Sequence, residues 1–452
     1  MKLKKNDIIR LEITGMTSQG SGVGRYDGIA IFVSASAIGD EIDARIIKTS
    51  KNYAIGKIEN IITPAKSRIT PDCPVFNSCG GCTYRHIAYS EELKIKRQKV
   101  LDAVTRIGGL DGEIVGEIIG SQECDGYRNK AQLPIGIDRN GNYTAGFYAF
   151  HSHRIIDSES CLLQPPIFAR VCDVFRKWCN IFKPSVYNEL THKGLLRHLY
   201  IRYGEVSGEV MVCLVINGEK TEGEQQLADM LKDEVDGFKS LVINTNQEKT
   251  NVILGDKCRI AYGSEYITDE LCGLKFNLSP LSFYQVNRTQ AQRLYGIAAE
   301  YAALNGDEIL LDLYCGTGTI GLSMAHKARK LIGVEIIPQA IENAKENAKS
   351  NGITNAEFIC GDAAKAAEQL KRRGETPDVI IVDPPRKGLA AELIDTISCL
   401  DPKRVVYVSC DCATLARDIK LFSEQGYYVK RLTPVDLFPR TAHVETVCLM
   451  SR

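Results

Sequence analysis

The last third of the chain alternates strand-like and helix-like segments, and this rhythm constrains the fold more than any other feature. From about residue 306, five apolar runs are each followed by a segment with helical spacing. Strands that alternate with helices pair in parallel, because each helix carries the chain back across the sheet. We therefore predict a parallel, doubly wound sheet, which two further strands over 427–432 and 446–450 complete. The five runs end at Leu313, Glu335, Ile359, Val382 and Ser409.

The whole chain needs more than one hydrophobic core, since 452 residues exceed the length of an ordinary domain. With 44% hydrophobic and 25% charged residues, the composition is globular and excludes a wholly disordered chain. We expect no membrane span and a cytoplasmic protein, because no long uncharged apolar run and no signal-like N-terminus is present. Basic and acidic residues number 56 each, so any nucleic-acid-binding surface must be a local patch.

Three domains are predicted along the chain. Residues 1–60 contain short strands separated by glycine-containing turns, which is typical of a small closed β-barrel. Residues 61–270 form an α/β central domain that contains a cysteine-bearing loop. Its first helix, over 90–108, starts with Ser90 as N-cap and can pack on the last domain. Residues 271–452 form the doubly wound domain.

The ends of the predicted parallel strands carry acidic residues, and ligands bind at that edge of such sheets. Asp312 precedes a glycine-rich turn that ends at Gly321. Glu335 ends the second strand, where a carboxylate suits two ribose hydroxyls, and Asp362 follows the third, where it suits the amino edge of adenine. An acid before the glycines fits a cationic amino-acid group better than a phosphate. This favours S-adenosylmethionine, with an NAD(P) domain as the alternative.

The fourth and fifth strands end in residues that indicate the chemistry. Asp383-Pro-Pro is also found in enzymes that methylate exocyclic amines, but those usually continue with an aromatic residue, and here Arg386 follows. Cys410 ends the fifth strand and is expected to point into the site. A thiolate that adds to carbon-6 of uracil makes carbon-5 nucleophilic, after which a base must remove the carbon-5 hydrogen. His443 and Glu445, predicted on one face of the last strand, are both candidates for that base.

Three cysteines have the spacing of a metal site. Cys73, Cys79 and Cys82 form C-x5-C-x2-C within a loop rich in proline and glycine. An iron–sulfur cluster needs four thiolates and tolerates unequal spacing, so a fourth cysteine must come from a distant part of the chain. A zinc ion with His86 as the fourth ligand is the alternative.

These motifs, in this order, resemble those of the RNA uracil-5-methyltransferase family, in particular its bacterial 23S ribosomal RNA branch. Tyr127-Arg-Asn-Lys130 and Ser282-Phe-Tyr-Gln-Val-Asn287 match further family motifs, and the resemblance runs from end to end. It implies a TRAM domain for the barrel, a 4Fe–4S cluster in the central domain, and a C-terminal Rossmann-like S-adenosylmethionine methyltransferase domain.

The resemblance also implies a role for individual residues. Cys410 would be the nucleophile and Glu445 the base, whereas Cys412 would not react. Cys161 would be the fourth cluster ligand beside Cys73, Cys79 and Cys82, with Cys124 as the second candidate. Relatives often have Asn at the position of Thr319, and Asn-Pro where Asp411-Cys412 stands here. The cofactor would lie against Gln285, Tyr314, Thr319, Glu335, Asp362 and Asp383.

The predicted activity is methylation of carbon-5 of a specific uridine, in 23S ribosomal RNA first and in transfer RNA as the second candidate. An iron–sulfur RNA-binding protein without catalysis is the alternative from another class. We expect a monomer that binds RNA through the barrel and through Arg128, Lys130, Arg197 and Arg202 of the central domain.

Overall fold

The computed structural model describes residues 3–150, 152–157 and 161–452. Residues with alternating burial build a six-stranded N-terminal sheet in the order β1-β5-β6-β4-β3-β2. One of the glycine-containing segments expected to be turns, Gly22–Tyr26, is instead a strand, and its glycines bring it close to the first strand. A Cβ on Gly24 would lie 2.2 Å from Leu11 Cδ1. The backbone N–H of Thr14 donates to Val23 O at 2.9 Å, which wraps the sheet back towards its first strand. The strands are β1 (Ile8–Glu12), β2 (Gly15–Met16), β3 (Gly22–Tyr26), β4 (Ile29–Val33), β5 (Glu41–Thr49) and β6 (Tyr53–Thr63).

Helix α1 (Tyr89–Arg106) follows the cysteine-bearing loop. The prediction of Ser90 as its N-cap is wrong: Ala88 occupies that position without a side-chain cap, and Ser90 lies inside the first turn. Apolar residues of α1, including Val100 and Val104, pack into the core of the C-terminal domain. The helix therefore joins the central and C-terminal parts of the molecule.

The central domain contains a seven-stranded sheet in the order β13-β12-β11-β10-β7-β8-β9, with two helices on one face. Successive residues of its middle strands point to opposite faces. Leu199 packs on the helices, whereas Tyr200 packs into the core of the C-terminal domain. Both faces of the middle strands are therefore covered. The elements are β7 (Lys130–Ile137), β8 (Tyr143–Tyr148), β9 (Ile155–Asp157), α2 (Ile167–Phe182), β10 (Leu196–Tyr203), β11 (Val210–Ile216), α3 (Glu224–Glu234), β12 (Phe238–Thr245) and β13 (Lys257–Gly263).

The C-terminal domain contains a second seven-stranded sheet with helices on both faces, in the order β18-β17-β16-β19-β20-β22-β21. A two-stranded hairpin and helix α4 precede it. The elements are β14 (Ile267–Leu271), β15 (Leu274–Leu278), α4 (Arg288–Ala302), β16 (Ile309–Leu313), α5 (Thr319–Met324), β17 (Lys330–Glu335), α6 (Pro338–Ser350), β18 (Ala356–Cys360), α7 (Ala363–Arg372), β19 (Val379–Val382), α8 (Ala391–Cys399), β20 (Arg404–Ser409), α9 (Cys412–Glu424), β21 (Tyr428–Val435) and β22 (Glu445–Ser451).

The last strand differs from the sequence prediction. β22 pairs antiparallel with both β20 and β21, so the prediction of a wholly parallel sheet is wrong at this edge. The physical reason is the short connection over 436–444, because a parallel pair needs a crossover of about a dozen residues or more. The reversal brings the start of β22 to the same edge as the carboxyl end of β20. Within the described parts of the chain, no helix is long and apolar enough to cross a membrane.

Candidate active site

The glycine-rich turn after β16 brings an acidic side chain under the start of a helix. Asp312 is 1% exposed, and its Oδ2 accepts a hydrogen bond from the backbone N–H of Gly321 at 2.9 Å. Its other oxygen, Oδ1, is buried without a hydrogen-bond partner. The chain turns sharply between Asp312 and Gly321, where Tyr314 has a φ of +66° and Gly318 a φ of +83°.

The carboxylates at this edge create an excess of negative charge. Burial, followed by the charges of Asp383 and Glu335, raises the pKa of Asp312 to about 7. Burial also raises the pKa of Asp383 to about 7. A cation placed here would stabilise the ionised form of these carboxyl groups and offset the cost of burying them. The unpaired Asp312 Oδ1 and this charge excess fit the ammonium and sulfonium groups of S-adenosylmethionine.

Glu335 and Asp362 are at neighbouring strand ends, as the sequence predicted. Glu335 Oε2 accepts from Gly316 N at 3.2 Å and Oε1 from Ile336 N at 2.8 Å, which links the ends of β16 and β17. Asp362 caps α7, since its Oδ1 accepts from Ala364 N at 3.1 Å. Both carboxylates therefore also stabilise the turns that hold them.

The loop over 279–287, which carries Gln285, is held by the central domain. Asn129 Nδ2 donates to Gln285 O at 3.0 Å, and Arg202 Nη2 donates to Ser282 O at 2.7 Å. The hydroxyl of Thr319 lies 3.0 Å from that of Tyr295, at the start of α5. The Tyr127–Lys130 motif thus contacts the backbone of the loop that carries Gln285.

The prediction that Arg197 and Arg202 bind RNA is wrong. They are 3% and 2% exposed, and their guanidinium groups are bound by backbone carbonyls: Arg197 by that of Asn246 at 2.8 Å, and Arg202 by that of Ser279 at 2.9 Å. Their strand, β10, lies in the middle of the sheet with both faces covered, so neither side chain reaches solvent.

Cys410 and Glu445 meet at the edge where β20 ends and β22 begins. Ser409 pairs with Thr446, and continuing this antiparallel register by one residue sets Cys410 opposite Glu445. Opposite residues of such a pair have Cβ atoms about 5 Å apart. Burial, then the charges of Glu445 and Asp383, raises the pKa of the Cys410 thiol to about 11. Burial and Asp383 raise the pKa of Glu445 to about 8.

The two alternative residues lie in different surroundings. His443 precedes β22 and is exposed, while Glu445 is 5% exposed, so the prediction that they share one strand face is wrong. Partial desolvation, followed by the charges of Arg386 and Lys99, lowers the pKa of His443 to about 4. Cys412 is buried at the start of α9, and its thiol donates to Lys99 O at 3.8 Å, towards α1.

Two residues that the sequence reasoning missed hold the loop after β19. Arg417 Nη2 donates to Lys387 O at 3.0 Å, and Asp418 Oδ2 accepts from Leu389 N at 2.8 Å. Between them Gly388 has a φ of +73°, and a Cβ there would lie 2.5 Å from Asp418 Oδ2. No local pattern marks these residues, because they lie on α9, about 30 residues along the chain.

The three thiols of the cysteine-bearing loop and the distant Cys161 are half-buried and affect one another. Burial raises the pKa of Cys82 to about 12, and the neighbouring thiols of Cys161, Cys79 and Cys73 contribute to the shift. Ser158–Ser160, which precede Cys161, lie outside the described residues. In the parts of the chain that the structure describes, no group of three or more His, Cys, Asp or Glu side chains is arranged to hold a metal ion.

The second candidates for the fourth ligand have other neighbours. Burial raises the pKa of Cys124 to about 11, and the charged groups that act on it most strongly are Arg440 and Glu92. A ring nitrogen of His86, Nε2, lies 3.1 Å from Ser36 O.

A sheet of this order, with a glycine turn and carboxylates along the ends of its parallel strands, defines an S-adenosylmethionine-dependent methyltransferase. The sequence model of tRNA (uracil-5-)-methyltransferases matches residues 89–452, and a TRAM domain model matches residues 2–58. The chain belongs to the tRNA (uracil-5-)-methyltransferase family and is an RNA methyltransferase. The family resemblance seen in the sequence is thereby confirmed.

Individual relatives agree with this assignment. An uncharacterised RNA methyltransferase of Clostridium tetani is 44% identical over 99% of this chain and 97% of its own length. One of Bacillus cereus is 44% identical over 100% of this chain and 98% of its own. The crystal structure of Pyrococcus abyssi tRNA (uracil-54, C5)-methyltransferase with S-adenosyl-L-homocysteine matches with a TM-score of 0.80 and 28% identity, over 98% of this chain and 100% of that one.

Proposed function

We propose that this methyltransferase acts on carbon-5 of a uridine through a covalent bond to Cys410, with Glu445 as the base. The observation that carries the proposal is the meeting of these two residues at the sheet edge, next to the carboxylates of Asp312 and Asp383. A nucleophile beside a base in one buried site is typical of enzyme active sites.

The roles follow from the chemistry of uracil. The Cys410 thiolate adds to carbon-6, and the electrons of the 5,6 double bond move to carbon-5 and the carbon-4 oxygen. S-adenosylmethionine supplies the methyl group as a sulfonium, which carbon-5 attacks. The Glu445 carboxylate then takes the carbon-5 proton, the double bond re-forms, and the thiolate leaves with its electron pair. A group with a pKa of about 8 suits this step, because it is a stronger base than an ordinary glutamate.

The cofactor contacts are also a proposal. The buried Asp312 supports a site for the cationic end of the cofactor, and the row of strand ends supports one for its ribose and adenine. The residues that we assign to it are Gln285, Tyr314, Thr319, Glu335, Asp362 and Asp383.

For the RNA target, we propose a uridine of 23S ribosomal RNA, bound by a monomer. This rests on the sequence resemblance to that branch of the family. A transfer RNA uridine is the second candidate, favoured by the transfer RNA enzyme of Pyrococcus abyssi. Mapping 5-methyluridine in both RNAs, with and without this protein, decides between them. The target base must leave its stack to reach the thiol, so a loop uridine should react faster than a paired one.

We also propose that Cys73, Cys79, Cys82 and Cys161 hold a 4Fe–4S cluster. Support comes from the mutual effect of their thiols and from the different neighbours of Cys124. No step of the methylation needs an electron, so the cluster would have a structural or RNA-positioning role.

The proposal is tested by trapping the adduct with a 5-hydrogen uridine substrate. In Glu445→Gln, addition and methyl transfer proceed but elimination stalls, so a methylated RNA–protein adduct should accumulate and survive denaturation. Cys410→Ala should form neither product nor adduct, whereas Cys412→Ala should still form product. An adduct in Cys410→Ala would exclude this nucleophile, and a trapped adduct in His443→Ala with normal turnover of Glu445→Gln would exclude this base.

A further inference from the structure

The connection over 436–444, here called the strap, leads from β21 directly to Glu445 and has no regular secondary structure. Its backbone carbonyls nevertheless accept hydrogen bonds from seven donors outside the strap, at residues 436–440 and 442 and at distances of 2.7–3.1 Å. They belong to the cysteine-bearing loop, α1, the central domain and the start of α4. The donors are the side chains of Gln290, Asn287, Lys96, Tyr127 and Lys99 and the backbone N–H groups of Thr83 and Tyr84.

Lys96 is the centre of this arrangement. It is 1% exposed, and its Nζ donates to Glu92 Oε1 and to Asp436 Oδ1, each at 2.7 Å, as well as to Phe438 O. Glu92 Oε1 also accepts from the backbone N–H of Arg440 at 2.7 Å. Two residues one turn apart on α1 therefore hold the strap at three alternate positions.

The strap ends where the position of the base is decided. Glu445 is the first residue of β22 and pairs with Val435, while pairing with β20 begins one residue later. A shift of about 1 Å in a reacting group can cost on the order of 100-fold in rate. Cys410 follows β20 and is not part of the strap, so a loosened strap should affect proton removal more than thiolate addition.

We propose that Lys96, Glu92 and Asp436 form a positioning network for the proton-removal step. The network holds the strap and, through the strap, Glu445. This inference rests on the proposed role of Glu445. Helix α1 contributes no residue to the reaction, but through this network it controls one step of that reaction.

The test uses single turnover of the full-length protein with its RNA. The double variant Lys96→Met/Asp436→Asn removes one positive and one negative charge and leaves Glu92 facing Arg440. We expect methyl transfer to stay within about twofold and product release to slow at least about tenfold, because only the base is displaced. A denaturation-resistant methylated adduct should accumulate. The matched control is Lys94→Met on the same helix, 74% exposed and paired only with Glu91, which should behave as wild type.

A merely structural role of the network predicts a different result. An equal slowing of methyl transfer and product release in the folded double variant, without accumulation of adduct, would overturn the inference. If the double variant does not fold, Glu92→Gln supplies the same readout, since it keeps Lys96 beside Asp436. If Glu445→Gln accumulates the adduct but neither network variant does, the result refutes this inference and leaves the proposed base intact. Absence of adduct in Glu445→Gln refutes the proposed base.

Discussion

Replacing Glu445 by glutamine should stabilise the protein, and increasingly so as the pH rises. Burial, with the charge of Asp383, raises the pKa of Glu445 to about 8, from an ordinary value of 4.5. A carboxyl whose pKa is higher in the folded than in the unfolded state binds its proton more tightly when folded. Its contribution to stability is therefore present at low pH and is lost as the pH rises from about 4.5 through about 8. Glutamine cannot ionise, so the variant escapes this loss.

The magnitude follows from these two pKa values. Ionisation of Glu445 lowers the free energy of unfolding by about 2 kcal/mol at pH 6 and by about 5 kcal/mol at pH 9. The variant should therefore gain about 3 kcal/mol of stability relative to wild type between the two pH values. The other buried carboxyls are present in both proteins, so their effects largely cancel in the comparison.

The assay is urea unfolding followed by far-ultraviolet circular dichroism, at pH 6 and pH 9, without cofactor. The matched control is Glu117→Gln, whose side chain is 88% exposed and whose charge is solvated in both states. An advantage of Glu445→Gln that stays constant with pH would refute the reasoning that burial opposes this charge. An equal gain in the control would refute it too.

Three further predictions concern the site and the cysteine loop. The rate of alkylation of Cys410 should rise about tenfold per pH unit from pH 7 to 10, because only the thiolate reacts. Peptide mass spectrometry measures this rate, and a plateau near pH 8 would contradict the buried environment. Gly388→Ala should lower kcat on the order of tenfold or more, because the added Cβ displaces the loop after β19. The control Gly374→Ala, at a φ of +71° and with no atom within 4 Å of the added Cβ, should cost only about 1 kcal/mol of stability. Anaerobically purified protein should contain about four iron and four sulfide per chain, and Cys161→Ala should lose them while Cys124→Ala keeps them; one zinc without iron would reject the cluster.

The sequence by itself determined the core of the C-terminal sheet and the residues at its edge. The predicted strand ends at Glu335 and Ser409 agree with the ends of β17 and β20. Local signals suffice there, because each strand is a short apolar run bounded by a turn, and the parallel order follows from the intervening helices. The prediction that Glu335 and Cys410 lie at one sheet edge needed no knowledge of distant contacts.

Only the tertiary structure decided which charged residues are buried and which way the last strand runs. Arg202 and Lys96 have the local pattern of surface residues, yet they are 2% and 1% exposed. Their burial depends on segments far along the chain, the loop at 279–282 for Arg202 and the strap for Lys96. The predicted strands over 427–432 and 446–450 leave a connection long enough for either direction of the last strand. Only the extension of β21 to Val435 and of β22 back to Glu445 shortens this connection, makes the pair antiparallel and brings Glu445 to Cys410. Periodicity records which face of an element is apolar, but what covers that face is decided by contacts between residues distant in sequence.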